Sequence, residues 1–276
     1  MIFSTTPRVG VALSGGSVLG MAHLGVLQAF QDHNVKVDCI TGTSAGSLAA
    51  ALFAFNVSIE EMLEEAGTLG WRAISNFSPS RLGLISNDAL GKRVRAFIGD
   101  KNIEDASIPL ALIATDIHTG EPVVLREGNV AQAVMASAAI PAMYNPVMID
   151  GRMLVDGGLT QNLPLAPLKD MGADVTIGVN VLHGKGVYAY PTGYLDIVFN
   201  TFSILMHRAN MLTGKDADVL IEPKLEKYTT SDFSKTSFII AEGYRAGEKA
   251  IPAIEEAVAT ERSWWKRTRK RIIGIS

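Results

Sequence analysis

Gly42-Thr43-Ser44-Ala45-Gly46 sets a serine between two glycines in the pattern G-x-S-x-G. In a sharp strand-to-helix turn such a serine has a strained backbone that pushes its hydroxyl into the open, where it can attack an acyl carbon. Glycines on either side are needed because a Cβ there would strike the neighbouring strand or helix. The free N–H groups and dipole of the following helix stabilise negative charge developing near Ser44. A glycine-rich turn that binds a phosphate, or nothing, is the competing reading.

Ser14-Gly15-Gly16-Ser17-Val18-Leu19-Gly20 is a second glycine loop between an apolar run and a helical pattern. Its backbone can turn amides toward a reacting oxygen, which is the requirement of an oxyanion hole. A dinucleotide loop is the alternative, but the spacing does not give G-x-G-x-x-G, and G-x-x-x-x-G-K-[ST] is absent.

A serine nucleophile needs a base. The histidines are His23, His33, His118, His183 and His207, and any of them is a formal candidate. His23 is nearest in sequence to the glycine loop, yet its apolar neighbours fit a packed core histidine better. Among the carboxylates Asp156 stands out, because it closes the run Arg152-Met-Leu-Val-Asp156 and is followed by Gly157 and Gly158. That places it at a strand end with permissive backbone beyond, where active-site residues gather in open α/β sheets. An Asp-Gly turn joining two short strands reads the same residues without chemistry.

The elements that must position these residues alternate. Residues 9–13 form an apolar run ending in glycines, 19–31 have helical spacing, 35–41 read as a second strand, and 47–55 as a second helix. This βαβα order predicts a three-layer α/β/α domain with a mainly parallel central sheet. Ser58 ahead of Glu60 and Glu61 predicts a capped helix to about residue 69, and Asn87-Asp88 predicts the cap of another through residue 97. Residues 71–85 carry Trp71, Pro79 and Gly83 without either period, which fits a flap beside a site. Further strands are expected at 110–115, 122–125, 174–180 and 219–222, and helices at 130–137, 165–171, 195–212 and 237–258.

The 276 residues suffice for one large domain, and 47 % of them are apolar, which excludes intrinsic disorder. A net charge of −3 offers no general attraction to nucleic acid. The single cysteine, Cys39, cannot close an intramolecular disulfide or build a thiolate zinc site, and the first residues lack the features of a secretory signal; both point to a cytoplasmic setting. Residues 9–31, 39–59 and 128–149 contain no Asp, Glu, Lys or Arg, but glycines, serines, prolines and Asn145 interrupt them, so they read as buried elements and not as membrane spans.

Residues 261–276 differ from the rest. Arg262, Lys266, Arg267, Arg269, Lys270 and Arg271 against one acid give this tail +5 and leave −8 for residues 1–260. Trp264, Trp265, Ile272, Ile273 and Ile275 are interleaved, a pattern suited to lying on an anionic membrane surface, although a solvated helix end has the same composition.

Ser14-Gly-Gly-Ser-Val-Leu-Gly20, Gly42-Thr-Ser-Ala-Gly46 and Asp156-Gly-Gly158, in that order, resemble the three signatures of the patatin-like phospholipase family. The resemblance extends through Thr115-Asp116, Thr119-Gly-Glu-Pro122, Ala136-Ser-Ala-Ala-Ile-Pro141, Asn162-Leu-Pro164 and Asp232-Phe-Ser234, and is strongest to small bacterial single-domain members. It implies a patatin-like α/β fold over residues 1–260, with Ser44 as nucleophile and Asp156 as general base of a Ser-Asp dyad. Gly15, Gly16 and Ser17 would supply oxyanion-hole amides, with no metal ion or cofactor. The implied substrate is a lipid acyl ester, and the implied activity a carboxylic ester hydrolase. An acyltransferase using the same serine and a non-catalytic lipid-binding protein are the alternatives. The family usually has Gly at position 17 and a cation at position 19, where this chain has Ser17 and Leu19, so weaker or narrower activity is expected. Leu48, Met135, Ile140, Met143 and Tyr144 are candidate acyl-pocket residues.

Overall fold

The computed structural model describes residues 6–68, 76–77, 80, 82–183, 188 and 190–273, with 264–273 described as helical backbone. In chain order these form β1 (Val9–Leu13), α1 (Ala22–Asp32), β2 (Cys39–Thr43), α2 (Ala45–Ala54), α3 (Ile59–Thr68), β3 (Asn76–Phe77), β4 (Ile85–Ser86) and α4 (Asp88–Ile98). There follow β5 (Leu110–Asp116), β6 (Pro122–Leu125), α5 (Val130–Ser137), β7 (Val147–Ile149), β8 (Arg152–Asp156), α6 (Ala166–Asp170), β9 (Val175–Val179), α7 (Tyr194–Thr213), β10 (Val219–Ile221) and α8 (Thr236–Ile273).

Among the described residues, eight strands form one sheet in the order β10-β9-β1-β2-β5-β8-β7, with β6 paired to β5. Strands β10, β9, β1, β2 and β5 run parallel, and every residue of β1, β2, β5 and β9 is buried. Helices on both faces explain why these strands are continuously apolar and do not alternate. The two faces carry unequal cores. Val11, Leu13, Ile40, Leu112 and Ile177 belong to the larger one, which includes side chains of α1, α2, α3, α5 and α8, while Ala12 and Cys39 meet Leu163, Leu165 and Leu168 in a smaller one beneath α6.

The Ser58 cap forms as expected: its hydroxyl accepts the Glu61 amide at 3.2 Å while the Glu61 carboxylate accepts the Ser58 amide at 3.0 Å. Asn87 does not cap α4 with its side chain. Its Nδ2 donates instead to the Met135 carbonyl at 2.7 Å, tying the start of α4 to α5. Most of the expected flap, residues 71–75, 78–79 and 81, lies outside the described residues, and the part that is described forms the short antiparallel pair β3–β4. The helix expected at 237–258 is longer, because α8 continues without a break into the basic tail; the side chains of Trp264 and Trp265 lie outside the described residues. Among the described residues no helix is long and apolar enough to cross a membrane.

Candidate active site

Strand β5 brings the serine and the aspartate together. Thr43 at the end of β2 pairs with Ile113, and Asp156 at the end of β8 pairs with Ala114, the next residue of β5. Because β6 occupies the other edge of β5 over the same residues, β2 and β8 share one edge and meet there end to end. One strand runs parallel to β5 and the other antiparallel, so their carboxyl ends converge, and Ser44 and Asp156 lie at the junction.

Ser44 initiates α2 with φ 53° and ψ −122°, a left-handed conformation costly for any residue but glycine. The turn is compact enough that a Cβ on Gly42 would stand 2.3 Å from the Gly46 carbonyl oxygen, and one on Gly46 2.3 Å from the Leu13 carbonyl oxygen. A hydroxyl from α5 holds it from outside: the Ser44 amide donates to Ser137 Oγ at 2.9 Å, and Ser137 Oγ donates to the Ile113 carbonyl at 2.6 Å. Thr43 lies buried in β2 beside this turn, its hydroxyl donating to the Gln161 carbonyl at 2.8 Å; Ala45 opens α2 against Gly20 of the first glycine loop.

Asp156 is 0 % exposed. Its Oδ1 accepts the Gly158 amide at 2.8 Å, while Oδ2 is buried with no partner that meets hydrogen-bond geometry. Burial raises the carboxyl pKa to about 7, and the Ser44 hydroxyl and the Gly158 amide hold it down from a still higher value. Gly157 crosses close over Ile113, and Gly158 lies against Met206 of α7.

The first glycine loop packs directly on this pair, for a Cβ on Gly15 would stand 3.0 Å from Ser44 Cβ. The Gly15 amide is already engaged, donating to the Asn162 carbonyl at 3.2 Å. Gly16 and Ser17 follow, with Ser17 at φ 52°, and no described hydrogen bond takes their amides. The Gly15 amide, expected with those of Gly16 and Ser17 as an oxyanion donor, is thus taken by Asn162. Leu19 does not line the cavity at Ser44 but a second, smaller pocket with Val181, Leu182 and Tyr228.

His23 is a structural residue. Its Nε2–H donates to the Ser14 carbonyl at 2.7 Å, and full burial lowers its pKa to about 4, so the ring is neutral. None of the five histidines lines the cavity at Ser44. Among the described residues no three His, Cys, Asp or Glu side chains stand together as a metal site.

Ser44 is 6 % exposed and opens into a cavity of about 130 Å³ that is walled mainly by apolar side chains. Of the expected pocket residues Leu48, Ile140 and Tyr144 line it; Met135 packs on Gly91 and Met143 is buried beside β4, so neither does. Reading of the residues alone did not assign Ser137 or Asn162 a role, although both lie in stretches that carry the family resemblance. Asn162 donates from Nδ2 to the Gly15 carbonyl at 3.3 Å and to Asn210 Oδ1 at 3.1 Å, bracing the glycine loop.

A strand-turn-helix serine facing a buried aspartate across a glycine loop defines a class of α/β proteins, and comparison with known proteins gives the family. The patatin-like phospholipase model matches residues 11–169, and the chain belongs to that family. It is 35 % identical over 181 residues to an uncharacterised NTE family protein of Mycobacterium bovis, a match covering 64 % of this chain and 50 % of the relative. It is 32 % identical over 278 residues to the lysophospholipase nte1 of Aspergillus fumigatus, covering 90 % of this chain and 18 % of that protein. The chain thus spans half or less of these relatives' length. The crystal structure of VipD from Legionella pneumophila shares the fold, with a TM-score of 0.51 at 13 % identity over 91 % of this chain and 67 % of that one.

Proposed function

We propose that the protein hydrolyses acyl esters of lipids through an acyl-Ser44 intermediate, with Asp156 as the base and no histidine. The observation that carries this reading is the contact between Ser44, exposed to an apolar cavity, and a fully buried Asp156 whose pKa is raised to about 7. An ordinary aspartate near 3.9 is a poor base for an alcohol; a carboxylate destabilised by burial takes the proton far more readily.

The steps follow from the positions of the groups. Ser44 Oγ bonds to the ester carbonyl carbon as its proton passes to Oδ2 of Asp156, the oxygen that the Gly158 amide does not engage. The carbonyl π electrons move to oxygen, where the amides of Gly16 and Ser17 and the N-terminus of α2 stabilise the charge. Collapse of the tetrahedral species breaks the bond to the leaving alcohol, which takes the proton from Asp156, and water repeats the sequence to release the acid. Similarity to a protein named as a lysophospholipase supports a lipid ester as substrate, and the apolar wall at Ser44 supports an acyl chain as the group it accepts.

The reading extends to location: a lone buried cysteine fits a reducing, cytoplasmic compartment, and the basic end of α8 fits peripheral contact with an anionic membrane.

The test is hydrolysis of a nitrophenyl ester together with labelling by a fluorophosphonate probe. The parent protein is expected to turn over the ester and to label at Ser44, and neither should occur in Ser44→Ala. Folded parent protein that does neither is a non-catalytic lipid binder; ester formation on an added alcohol in preference to acid release makes it a transferase.

A further inference from the structure

The cavity at Ser44 has a direction and an end. Ala45, Leu48, Ala49 and Leu52 all line it, and their spacing puts them on one face of α2, so the cavity follows that helix for about 10 Å at ~1.5 Å per residue. Helix α4 forms an opposite wall from Leu90 to Phe97 over the same number of residues. Its start is fixed near Ser44, because Asn87 donates to the Met135 carbonyl of α5, the helix that carries Ser137. The Lys101 ammonium, three residues beyond its last, lies 5.8 Å from the ring of Phe55 at the close of α2. Both helices therefore lead away from the serine toward one place.

That place is closed. Val57 donates to the Leu52 carbonyl at 3.0 Å and returns the chain into α3, which sets Met62 beside Leu52. Leu52 is 5 % exposed and Met62 2 %. Between the two ends the outer wall is an ion pair, Glu65 of α3 with Arg93 of α4, both side chains partly exposed. An acyl chain attached at Ser44 has an apolar path along α2, a polar side wall and a blind end.

We propose that this cavity measures acyl length, admitting one straight chain of about eight carbons, whose tip stops against Leu52, Met62 and Phe97; the number follows from the ~10 Å path and the ~1.25 Å advance per bond of an extended chain. The proposal rests on Ser44 being the acylated residue. Within the cavity each added methylene leaves water, which raises kcat/KM about fourfold per carbon. Past the blind end the gain stops.

The experiment is a series of saturated nitrophenyl esters from two to sixteen carbons, with calorimetric binding of the matching free fatty acids to Ser44→Ala protein. In the parent, kcat/KM is expected to climb steeply and break near eight carbons, and fatty-acid affinity should break at the same length. Ala49→Leu fills the path about halfway without removing any core contact; its break should fall to about five carbons, given ~6 Å of helix above that position. Leu52→Ala should move the break outward, and a melting curve reports whether that variant is folded. A climb that continues through sixteen carbons, or a folded Ala49→Leu protein with the parental break, overturns the proposal while leaving the hydrolase reading intact. Fatty acids that bind with the break in a protein that cleaves no ester refute the hydrolase reading and with it the acylated serine, leaving only a fatty-acid cavity of that depth. No binding and no cleavage refutes both.

Discussion

Ser137 holds the backbone of Ser44: its hydroxyl accepts a hydrogen bond from the Ser44 amide at 2.9 Å and donates one to the Ile113 carbonyl at 2.6 Å. The strained turn is thereby anchored to the strand that also registers Asp156. In Ser137→Ala the buried Ser44 amide loses its acceptor, at a cost to stability of about 1–3 kcal/mol. We expect kcat to fall about 10- to 100-fold through misplacement of Oγ while KM changes little. Steady-state kinetics and thermal melting of the variant check this.

Ser44→Ala and Asp156→Asn should each lower kcat/KM by roughly a thousandfold or more, and the double variant should be no worse than either, since the proposed mechanism has the two groups act in one step. Full additivity of the two losses would show that they act separately.

The raised pKa of Asp156 sets a pH dependence. In the proposed mechanism the base is the carboxylate, present above a pKa of about 7, so kcat/KM should rise with pH and level off with a midpoint near 7. A midpoint near 4 in the pH–rate profile would mean that burial does not tune this carboxyl.

The same burial costs stability, with a definite sign. The folded state holds the Asp156 proton up to about pH 7, whereas the unfolded chain releases it near 3.8, so stability falls as pH rises between these values and the loss is complete above 7. Asp156→Asn retains an acceptor for the Gly158 amide and does not ionise. It should be more stable than the parent at pH 8 by up to about 4 kcal/mol at ~1.36 kcal/mol per unit, and by almost nothing at pH 4. Denaturant unfolding at the two pH values measures the difference, and an inactive variant that is also less stable at pH 8 would contradict the account.

Two substitutions in the glycine loop should act oppositely. Ser17→Gly relieves a left-handed residue while keeping the amide, so activity should be equal or higher. Gly16→Ala brings a Cβ to 2.4 Å from Val181 Cγ2 and should shift the amides, lowering kcat about 100-fold. Equal kinetics for the two variants would remove this loop from the oxyanion role.

Much of the fold was readable in local pattern. An apolar run ending in glycines marked β1, and the strands expected at 110–115, 122–125 and 219–222 formed within a residue of those bounds, whereas the second strand, expected at 35–41, formed at Cys39–Thr43; the fully buried parallel strands β1 and β5 have no polar alternation to blur them. The Ser58–Glu61 cap was visible because its partners are three residues apart. Asn87 misled for the converse reason: its side chain serves a carbonyl 48 positions away, and no local rule anticipates that. The basic tail looked separate by composition, yet helical hydrogen bonding is indifferent to charge sign, and α8 runs through it.

Residue types and their order determined that a serine stands in a strand-to-helix turn, that a glycine loop precedes it, and that an aspartate closes a later strand, since each of these is a property of a few neighbouring residues. Tertiary structure alone decided that Thr43 and Asp156 pair with consecutive residues of β5, that the Gly15 amide is taken while those of Gly16 and Ser17 have no described partner, and that Leu52 and Met62 of separate helices line one cavity with Ser44. Those are relations between segments far apart in the chain, set by register and packing, and register is fixed only when the whole sheet has formed.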